Sequence, residues 1–327
     1  MAGPILLIGD IGGTNARFAL ADPGKPGFSD VVKLKCADFE SADLAIRQYL
    51  DSVGAATPDV VCLAAAGPVV DGRVQFTNNH WVITEAELGE TFDTGKVSLL
   101  NDFEAIAYSV PFIEEKELHL IGLPDPVPLD EGDFVVGIIG PGTGLGAAGL
   151  MRHGSALLPV VGEASHGGFA PETRLQLDVL TQLRERFDRV SSERLVSGQG
   201  LENTYWALSQ IHGEKNPQLS AAEIFERSES GADPRAVEAV GLFFEMLGQV
   251  AGDLALTLGA EQGVFVAGGI AQRYPELLAA SRFRSAFEAK GRHRALMEQI
   301  PTQLITHPQP GLLGAAYVAS TLLESTK

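Results

Sequence analysis

Two glycine-rich turns contain the first residues of this sequence whose types and spacing could do chemistry. Residues 9–14 (GDIGGT) lie between two apolar runs, and residues 140–146 (GPGTGLG) follow another apolar run. Strand-like residues continue after each turn, so each pattern predicts two strands joined by a turn; at Gly12-Gly13 glycine can adopt positive φ without cost. Successive backbone N–H groups in such a turn can hold a phosphate, and Asp10, at a strand end, can act on a bound cation. Taken alone, the Gly12-Gly13 turn is more typical of a purely structural hairpin.

The second turn also fits the dinucleotide template G-x-G-x-x-[G/A], through Gly142, Gly144 and Ala147. That template requires a helix to open at the glycines, whereas residues 147–151 read as a strand that soon reaches a turn. The acid near the expected offset, Glu163, lies in a glycine-rich loop rather than at a strand end. We therefore interpret the match as coincidental. Two strand–turn–strand elements, one near the start of each half, instead predict two related halves that hold one phosphate chain.

Asn101 and Asp102 stand where a predicted strand ends and a helix begins. A carboxylate at the carboxyl end of a strand is well placed to serve as a general base. The same residue types are also preferred helix N-caps, so the pair alone is more typical of a cap.

Residues 162–168 (GEASHGG) place Glu163 and His166 at the spacing of a metal pair on one helix face. The surrounding glycines indicate a loop instead, and no second Glu/His cluster accompanies the pair, so we expect no metal there. A lone histidine is otherwise most often structural. Glu193, in residues 191–198 (SSERLVSG), follows two serines, which is typical of a capped helix start.

The elements that would position these residues alternate along the chain. Short apolar runs predict strands at residues 5–8, 17–20, 60–64, 97–100, 134–139, 147–151 and 264–267. Helix-like stretches lie at residues 42–53, 85–92, 104–110, 173–187, 201–211, 234–258 and 312–323. This rhythm is typical of an α/β protein. The segment 122–132 favours a linker between domains, because Pro126 and Pro128 prevent a helix and its charges favour solvent.

Composition and charge limit the classes of function. The 327 residues suffice for two domains, and 42 acidic against 24 basic residues give a net charge of −18. Such a field repels phosphate backbones, so we expect no nucleic-acid partner. Only two cysteines occur, which excludes a disulfide framework and suits a reducing cytoplasm. Because no apolar run approaches the ~20 residues of a bilayer crossing and no signal peptide is recognisable, we predict a soluble cytoplasmic protein without a membrane partner.

In their order along the chain, these motifs resemble those of the zinc-free bacterial glucokinases, within the superfamily of actin-like sugar kinases and Hsp70. The resemblance runs from Gly9 to Gly314, nearly the whole chain. It implies the two-domain actin-like ATPase (ribonuclease H-like) fold of the α/β class, with a mixed five-stranded sheet flanked by helices in each domain and ATP in the cleft between them. We expect a small domain of residues 1–112, on which a C-terminal helix of residues 311–327 packs, and a large domain of residues 113–310.

The resemblance also implies a role for each motif. The glycine-rich turns become phosphate hairpins, and the glycine pair after the strand at 264–267 becomes the adenosine-side motif. The residues implied for nucleotide binding are Gly9, Asp10, Ile11, Gly12, Gly13, Thr14, Gly140, Gly142, Thr143, Gly144, Gly268 and Gly269. The residues implied for sugar binding are Asn78, Asn101, Asp102, Glu163, His166 and Glu193. Asp102 is the implied catalytic base, Asn79 is the alternative to Asn78, and Trp81 is expected in the core.

These roles predict ATP-dependent phosphorylation of D-glucose to glucose 6-phosphate, with Mg²⁺ held by Asp10 through water. The resemblance further implies a homodimer. Phosphate hairpins hold ATP and polyphosphate by similar contacts, so the donor (ATP, ADP or polyphosphate) stays open, as does another hexose as substrate. A sugar-responsive repressor would need an N-terminal helix-turn-helix, where we predict a strand from Ile5. An NAD-dependent dehydrogenase is the remaining alternative.

Overall fold

The computed structural model describes residues 3–24, 26–76, 79–214 and 218–325. Within them the chain forms two compact units: unit 1 is Met1–Glu115 with His307–Lys327, and unit 2 is Lys116–Thr306. The two borders between the units, after Glu115 and after Thr306, lie a few residues from the expected domain borders at residues 112 and 310. The segment 122–132 belongs to unit 2 and follows a strand of its sheet, so its predicted role as a linker between domains is wrong. The residues before it already pair within unit 2.

Strands form at the apolar runs, because their alternating side chains can be buried on one or both faces of a sheet. All seven strands predicted from the sequence are present. In chain order the strands are β1 (Leu6–Ile11), β2 (Asn15–Ala21), β3 (Phe28–Lys35), β4 (Val60–Ala65), β5 (Val69–Val70), β6 (Arg73–Gln75), β7 (Val82–Thr84), β8 (Val97–Asn101), β9 (Leu118–Leu120), β10 (Phe134–Pro141), β11 (Leu145–His153), β12 (Ala156–Val161), β13 (Val264–Val266) and β14 (Thr302–Ile305).

Helices form where apolar residues recur every three to four positions, and most of the longer ones begin at Ser, Thr, Asp or Asn caps. All seven predicted helices are present. In chain order the helices are α1 (Ala42–Val53), α2 (Glu85–Phe92), α3 (Asp102–Ser109), α4 (Arg174–Arg184), α5 (Gly198–Ile211), α6 (Ala221–Glu229), α7 (Pro234–Leu258), α8 (Gly269–Arg273), α9 (Pro275–Ala280), α10 (Phe283–Glu288), α11 (Arg294–Met297) and α12 (Pro310–Glu324).

Unit 1 is built on a five-stranded mixed sheet with the order β3-β2-β1-β4-β8. β1 pairs with β2 in antiparallel fashion, and with β4 in parallel. Side chains alternate along β1: Leu7 and Ile11 enter the core that includes α1, whereas Leu6 and Ile8 enter the core that includes α12. The carboxyl ends of the parallel strands β1, β4 and β8 share one edge, where polar residues can meet.

The C-terminal helix α12 packs closely against α3. A side chain at Gly314 would overlap the carbonyl oxygen of Ala105, so glycine is required at this crossing. Leu312 and Ala316 of α12 are fully buried beneath the sheet of unit 1. This contact fixes α3 and therefore the strand end from which it starts.

The main sheet of unit 2 has six described strands, in the order β12-β11-β10-β13-β14-β9. Its first five strands repeat the pattern of unit 1: an antiparallel meander followed by parallel strands. The predicted number of five is corrected to six, because β9 pairs with the backbone of β14 along what would otherwise be an open edge. The α/β class, with mixed sheets flanked by helices, is confirmed.

Helix α7 is, by length and composition, the one helix among the described residues that could cross a membrane. Most of it is buried inside unit 2, where it packs against α5, α6 and α10. The core helix of a globular domain has the same apolar composition, so burial within the unit accounts for it.

Candidate active site

The first glycine-rich turn joins β1 and β2, which pair as far as Ile11 and Ala16. The predicted hairpin is confirmed. Gly12 donates its N–H to the carbonyl oxygen of Asn15 at 2.9 Å. Gly12 does not adopt the positive φ that glycine would allow at this turn.

Cys36 holds this turn from the side, a contact that the sequence analysis missed. Its N–H donates to the carbonyl oxygen of Thr14 at 3.0 Å, and its thiol donates to the carbonyl oxygen of Gly12 with sulfur and oxygen 3.6 Å apart. Burial raises the pKa of Cys36, so the thiol keeps its proton and remains a donor at neutral pH. The two residues are 24 positions apart, and such a contact leaves no local pattern.

Gly9 lies inside β1 rather than in the turn. A Cβ at this position would lie 2.7 Å from Cδ2 of Leu63 and 3.0 Å from Cδ1 of Phe18. Packing in the core therefore requires glycine here. Ile11 is buried in the same core, so only its backbone can face a ligand. The nucleotide contacts of Gly9 and Ile11 stay predictions.

Asp10 points to the opposite face of β1, toward α12. Its Cγ lies 3.6 Å from the place that a Cβ on Gly311 would take. Burial raises the pKa of Asp10, and Arg17 opposes that rise, with its Nη1 3.7 Å from Oδ2. The sequence offered a signal for this partner, since the predicted hairpin pairs residues 10 and 17.

A partly exposed carboxylate that lies beyond hydrogen-bond distance from its counter-ion suits hydrated Mg²⁺, which takes one or two carboxylates and completes its shell with water and phosphate oxygens. In the part of the chain that the structure describes, no group of three or more His, Cys, Asp or Glu side chains could hold a metal ion. The residues present therefore fit a cation that arrives with a phosphate substrate, rather than one enclosed by protein ligands alone.

Asn101 ends β8 and caps α3, as its residue type alone indicated. Its Oδ1 accepts from the N–H groups of Phe103 at 2.9 Å and Glu104 at 3.4 Å. The carboxylate of Glu104 in turn accepts from the N–H of Asn101 at 3.2 Å. The Nδ2 of Asn101 donates to the carbonyl oxygen of Gly67 at 3.0 Å. Because Oδ1 serves the helix, the side chain can meet a substrate only through its second amide N–H.

Asp102 is the first residue of α3, and its side chain is partly exposed. The partial positive charge of a helix N-terminus stabilises a carboxylate there. The N–H of Phe103 donates to its Oδ1 at 3.0 Å. Across the sheet, Ile11 and Asn101 are in register with the same residue of β4, Ala65. The first turn and Asp102 therefore lie at one edge of the unit 1 sheet.

Glu163, His166 and Glu193 lie together in unit 2, and we call them the carboxylate–histidine cluster. Nε2 of His166 is 3.7 Å from Oε2 of Glu163, and its Nδ1 is 4.0 Å from Oε1 of Glu193. The two segments that carry them are joined by a hydrogen bond from the N–H of Ser192 to the carbonyl oxygen of Gly167 at 3.0 Å. Glu163 and His166 are exposed and Glu193 is partly exposed, so their donors and acceptors can reach a ligand with several hydroxyls.

The alternative interpretation of Glu193, as part of a serine-capped helix start, is wrong. Glu193 lies in a single 3-10 turn, Ser192–Arg194, in which Ser191 makes no side-chain cap bond. The capping serine is Ser197, whose Oγ accepts from the N–H of Gly200 at 2.9 Å where α5 begins. The side chain of Glu193 points toward the second glycine-rich turn, where its Oε2 accepts from the N–H of Leu145.

The second glycine-rich turn joins β10 and β11. Pro141 and Leu145 form the last pair of the two strands, next to the pair of Gly140 and Gly146. A strand, and not a helix, follows the glycines, which confirms that the dinucleotide template matched by coincidence. Thr143 lies in the turn between the two strands.

Two other segments tie this turn in place. The N–H of Gly142 donates to the carbonyl oxygen of Gly144 at 2.7 Å, and the carbonyl oxygen of Gly142 accepts from the N–H of Gly198 at 2.9 Å. The N–H of Leu145 donates to Oε2 of Glu193 at 3.0 Å. The turn thus contacts both the N-terminus of α5 and the carboxylate–histidine cluster.

Gly268 brings the adenosine-side motif against the same turn. It follows β13 with φ of +87°, and a Cβ there would lie 2.6 Å from the carbonyl oxygen of Pro141. Gly269 begins α8, and around its Cβ position no described neighbour lies within 4 Å. The two segments of unit 2 predicted to bind the nucleotide are therefore in contact.

Asn78, a predicted sugar ligand, lies outside the described residues. Its neighbour Asn79, the alternative, uses Oδ1 to accept from the N–H of Trp81 at 3.1 Å. Trp81 is only 1% exposed, and its Nε1 donates to the carbonyl oxygen of Phe39 at 3.1 Å. Its predicted place in the core is confirmed.

Residues 7–322 match the family model of the glucokinases. The chain belongs to the glucokinase family. A glucokinase of Marinobacter nauticus is 42% identical over 311 residues, which cover 95% of both chains. The crystal structure of a glucokinase from an Antarctic psychrotroph shares 33% identity with a TM-score of 0.89 and covers 99% of this chain and 100% of that one. A glucokinase of Balamuthia mandrillaris, crystallised in complex with glucose, shares 26% identity with a TM-score of 0.75 and covers 97% and 93%.

Family membership confirms the resemblance that the motifs indicated. The likeness to the psychrotroph structure covers 99% of this chain, and it confirms the expected two-domain sugar-kinase fold. The protein is therefore an enzyme of the kinase class, and the dehydrogenase and repressor alternatives are set aside.

Proposed function

We propose that this protein transfers the γ-phosphoryl group of ATP to the 6-hydroxyl of D-glucose, which yields glucose 6-phosphate and ADP. One observation carries the proposal: 42% identity to a glucokinase along 95% of both chains. The local geometry supports it, because each unit contains one glycine-rich hairpin with polar side chains close by.

Asp102 is proposed to accept the proton of the sugar 6-hydroxyl. Phosphoryl transfer passes through a loose transition state, so alignment and charge neutralisation lower most of the barrier. The hydroxyl must still lose its proton, and a carboxylate at a helix N-terminus offers the acceptor. Asn101 is proposed to orient the sugar through its second amide N–H, since its other polar groups hold α3 and Gly67.

The carboxylate–histidine cluster is proposed to bind the remaining hydroxyls of the sugar. Carboxylates accept from hydroxyls, and imidazole can donate or accept, so the three side chains can engage several hydroxyls at once. Such binding fixes the sugar in one orientation and favours transfer to a single oxygen. A site built on hydroxyl contacts also discriminates against sugars that lack one of them.

Backbone N–H groups of the two turns are proposed to bind the phosphates. Those of Gly12 and Gly142 already close the turns, so the proposed donors are the next two residues in each: Gly13 with Thr14, and Thr143 with Gly144. Mg²⁺, when bound with ATP, neutralises charge on the polyphosphate. Asp10 is proposed to hold that ion through water, and the Gly268-Gly269 segment to line the adenosine.

A coupled assay of the purified protein tests the proposal. A panel of hexoses is combined with ATP, ADP and polyphosphate, and kcat/KM is compared for each pair. We expect the highest value for D-glucose with ATP. A higher value with another hexose or another donor would replace the corresponding part of the proposal, and a lack of glucose 6-phosphate with ATP would overturn it.

Cytoplasmic location and a homodimer are further parts of this proposal. Two free, buried thiols suit a reducing compartment. Sedimentation of the purified protein over a range of concentrations tests the dimer, which should remain at the lowest concentration used in the assay.

A further inference from the structure

Glu193 contacts two predicted subsites through different oxygen atoms. Its Oε2 accepts from the N–H of Leu145 in the second turn at 3.0 Å. Its Oε1 lies 4.0 Å from Nδ1 of His166, on the side of the carboxylate–histidine cluster. The side chain is 31% exposed, so water has limited access to compete for the bond to Leu145. The carboxylate of Glu193 therefore lies between the second glycine-rich turn and the carboxylate–histidine cluster.

Gly144 shows how closely this carboxylate lies against the turn. A Cβ at residue 144 would lie 2.5 Å from Oε2 of Glu193 and 3.4 Å from its Cδ. Atoms do not approach so closely without displacement, so a side chain at residue 144 and the present position of the carboxylate exclude each other. Gly144 has no positive φ, so its backbone conformation does not require glycine. A Cβ at residue 144 would instead have to displace the carboxylate of Glu193.

We propose that Glu193 couples sugar binding to nucleotide binding within unit 2. It serves as a positioning residue for the phosphate turn in addition to its role as a sugar ligand. The inference rests on the proposed function, because it assumes that a hexose binds at the cluster and that a polyphosphate binds at the turn.

The physical basis is the rigidity of the carboxylate, whose two oxygen atoms move as one planar group. A sugar hydroxyl that donates to Oε1 restricts the rotation of the group and thereby fixes Oε2 against the N–H of Leu145. The turn is then held in the shape that presents Thr143 and Gly144 to phosphate. Because linkage is reciprocal, the nucleotide strengthens sugar binding by the same factor.

The test compares truncation of the two glutamates of the cluster, Glu163→Ala and Glu193→Ala. The affinity for AMPPNP with Mg²⁺ is measured by calorimetry with and without D-glucose. We expect Glu193→Ala to weaken AMPPNP binding about tenfold without sugar, because a hydrogen bond to a charged acceptor is lost. Glu163→Ala should weaken glucose binding but change sugar-free AMPPNP affinity by less than about twofold. Glucose should strengthen AMPPNP binding at least about fivefold in wild type, and not in Glu193→Ala.

Two further variants separate the contact from a general loss of structure. Glu193→Gln keeps an acceptor for Leu145, so it should recover most of the AMPPNP affinity while glucose binding stays weak. Gly144→Ala should reproduce the loss seen in Glu193→Ala, because its Cβ displaces the carboxylate. In the double variant Gly144→Ala/Glu193→Ala, the alanine at residue 144 should add no further loss, because the space is vacant.

The outcomes distinguish a failure of the proposed function from a failure of the proposed coupling. If wild-type protein does not phosphorylate glucose, the proposed function is overturned. If it does, but Glu193→Ala binds AMPPNP as tightly as wild type, only the coupling is overturned. A multiplicative loss in the double variant also overturns it, because Gly144 would then be needed for another reason. If Glu193→Ala fails to fold, Glu193→Gln and Gly144→Ala decide by the same measurements.

Discussion

Asp10 and Arg17 face each other as a register pair across the first hairpin, yet their closest charged atoms are 3.7 Å apart. This distance exceeds that of a hydrogen bond, and both side chains are partly exposed, so the ion pair stabilises the fold very little. The loss of hydration around the carboxylate outweighs the opposing effect of Arg17, so the pKa of Asp10 is raised. A carboxylate held at such a cost is typical of a functional site.

Asp10→Asn should stabilise the fold at neutral pH but not in acid. The pKa of the Asp10 carboxyl is higher in the folded protein than its ordinary 3.8. The folded state therefore binds the proton more tightly, and the free energy of unfolding of the wild type falls as pH rises from 3.8 through the raised pKa. An amide does not titrate, so the advantage of the variant grows across that window and is constant above it. Melting curves from about pH 3 to about pH 8 measure it, and an equal difference in Tm at every pH would contradict the expectation.

The same variant should be a poor catalyst. We expect kcat to fall by more than about tenfold, because the ligand for hydrated Mg²⁺ is lost, while the equilibrium Kd for glucose hardly changes. Turnover is measured at limiting Mg²⁺, where the loss of a magnesium ligand has its largest effect on the rate. Wild-type turnover of Asp10→Asn under that condition would remove Asp10 from the metal site.

Asp102→Asn should lower kcat by about 10²–10⁴-fold, the usual contribution of a general base. The amide keeps the size of the side chain and can still pair with a hydroxyl, so glucose affinity should weaken only modestly. Asp43→Asn is a matched control, because Asp43 is likewise a partly exposed carboxylate in the first turn of a helix, α1, and is not one of the candidate site residues. Steady-state kinetics of both variants test the assignment, and Asp102→Asn with more than about a tenth of the wild-type kcat would rule it out.

Asn101→Ala and Asn101→Ser separate the cap from substrate binding. Both variants lose the amide N–H groups, so both should raise KM for glucose at least as much as they lower kcat. Only alanine loses the cap oxygen as well, so the free energy of unfolding should fall by about 1 kcal/mol and Tm by roughly 2–4 °C. Kinetics and melting curves are measured together. Wild-type KM in both variants would leave Asn101 as a cap alone.

Gly268→Ala and Gly269→Ala form the last matched pair. Alanine at residue 268 would have a left-handed φ and would meet the carbonyl oxygen of Pro141, so we expect a loss of about 1–3 kcal/mol in stability and a higher KM for ATP as the turn is displaced. Alanine at residue 269 enters open space at a helix start, so Tm should not fall. Equal Tm values for the two variants would show that Pro141 and Gly268 are not in close contact.

Many of the long, apolar elements could be predicted from the sequence. The six apolar residues of β4 are buried at every position, and the 25 residues of α7 repeat their apolar face. The short strands β5 and β9 were missed, because two or three positions carry no periodicity and their pairing depends on distant partners. The longer strands β3 and β12, of eight and six residues, were missed as well, and only their pairing with β2 and β11 shows them. The linker expected at 122–132 was wrong for the same reason: only the pairing of β9 with β14 assigns its neighbours to unit 2.

At the candidate site, local chemistry was predictable and distant contacts were not. The cap formed by Asn101 and the hairpin at Gly12 follow from a few consecutive residues. The hydrogen bond between Leu145 and Glu193 spans 48 positions, and that between Cys36 and Gly12 spans 24. Such contacts exist only after the strands have brought separate segments together.

The sequence by itself determined the family, the α/β class, the two hairpins and the residue types of the candidate site, because all of these depend on local order and spacing. Only the tertiary structure decided what a side chain at individual glycines would meet: the core at Gly9 and the carboxylate of Glu193 at Gly144. It also decided that Asn101 has committed its Oδ1 to α3, and that the charged atoms of Asp10 and Arg17 lie 3.7 Å apart, beyond hydrogen-bond distance. The physical reason is that steric fit and burial are set by atoms that are neighbours in space, and chain order does not record which atoms those are.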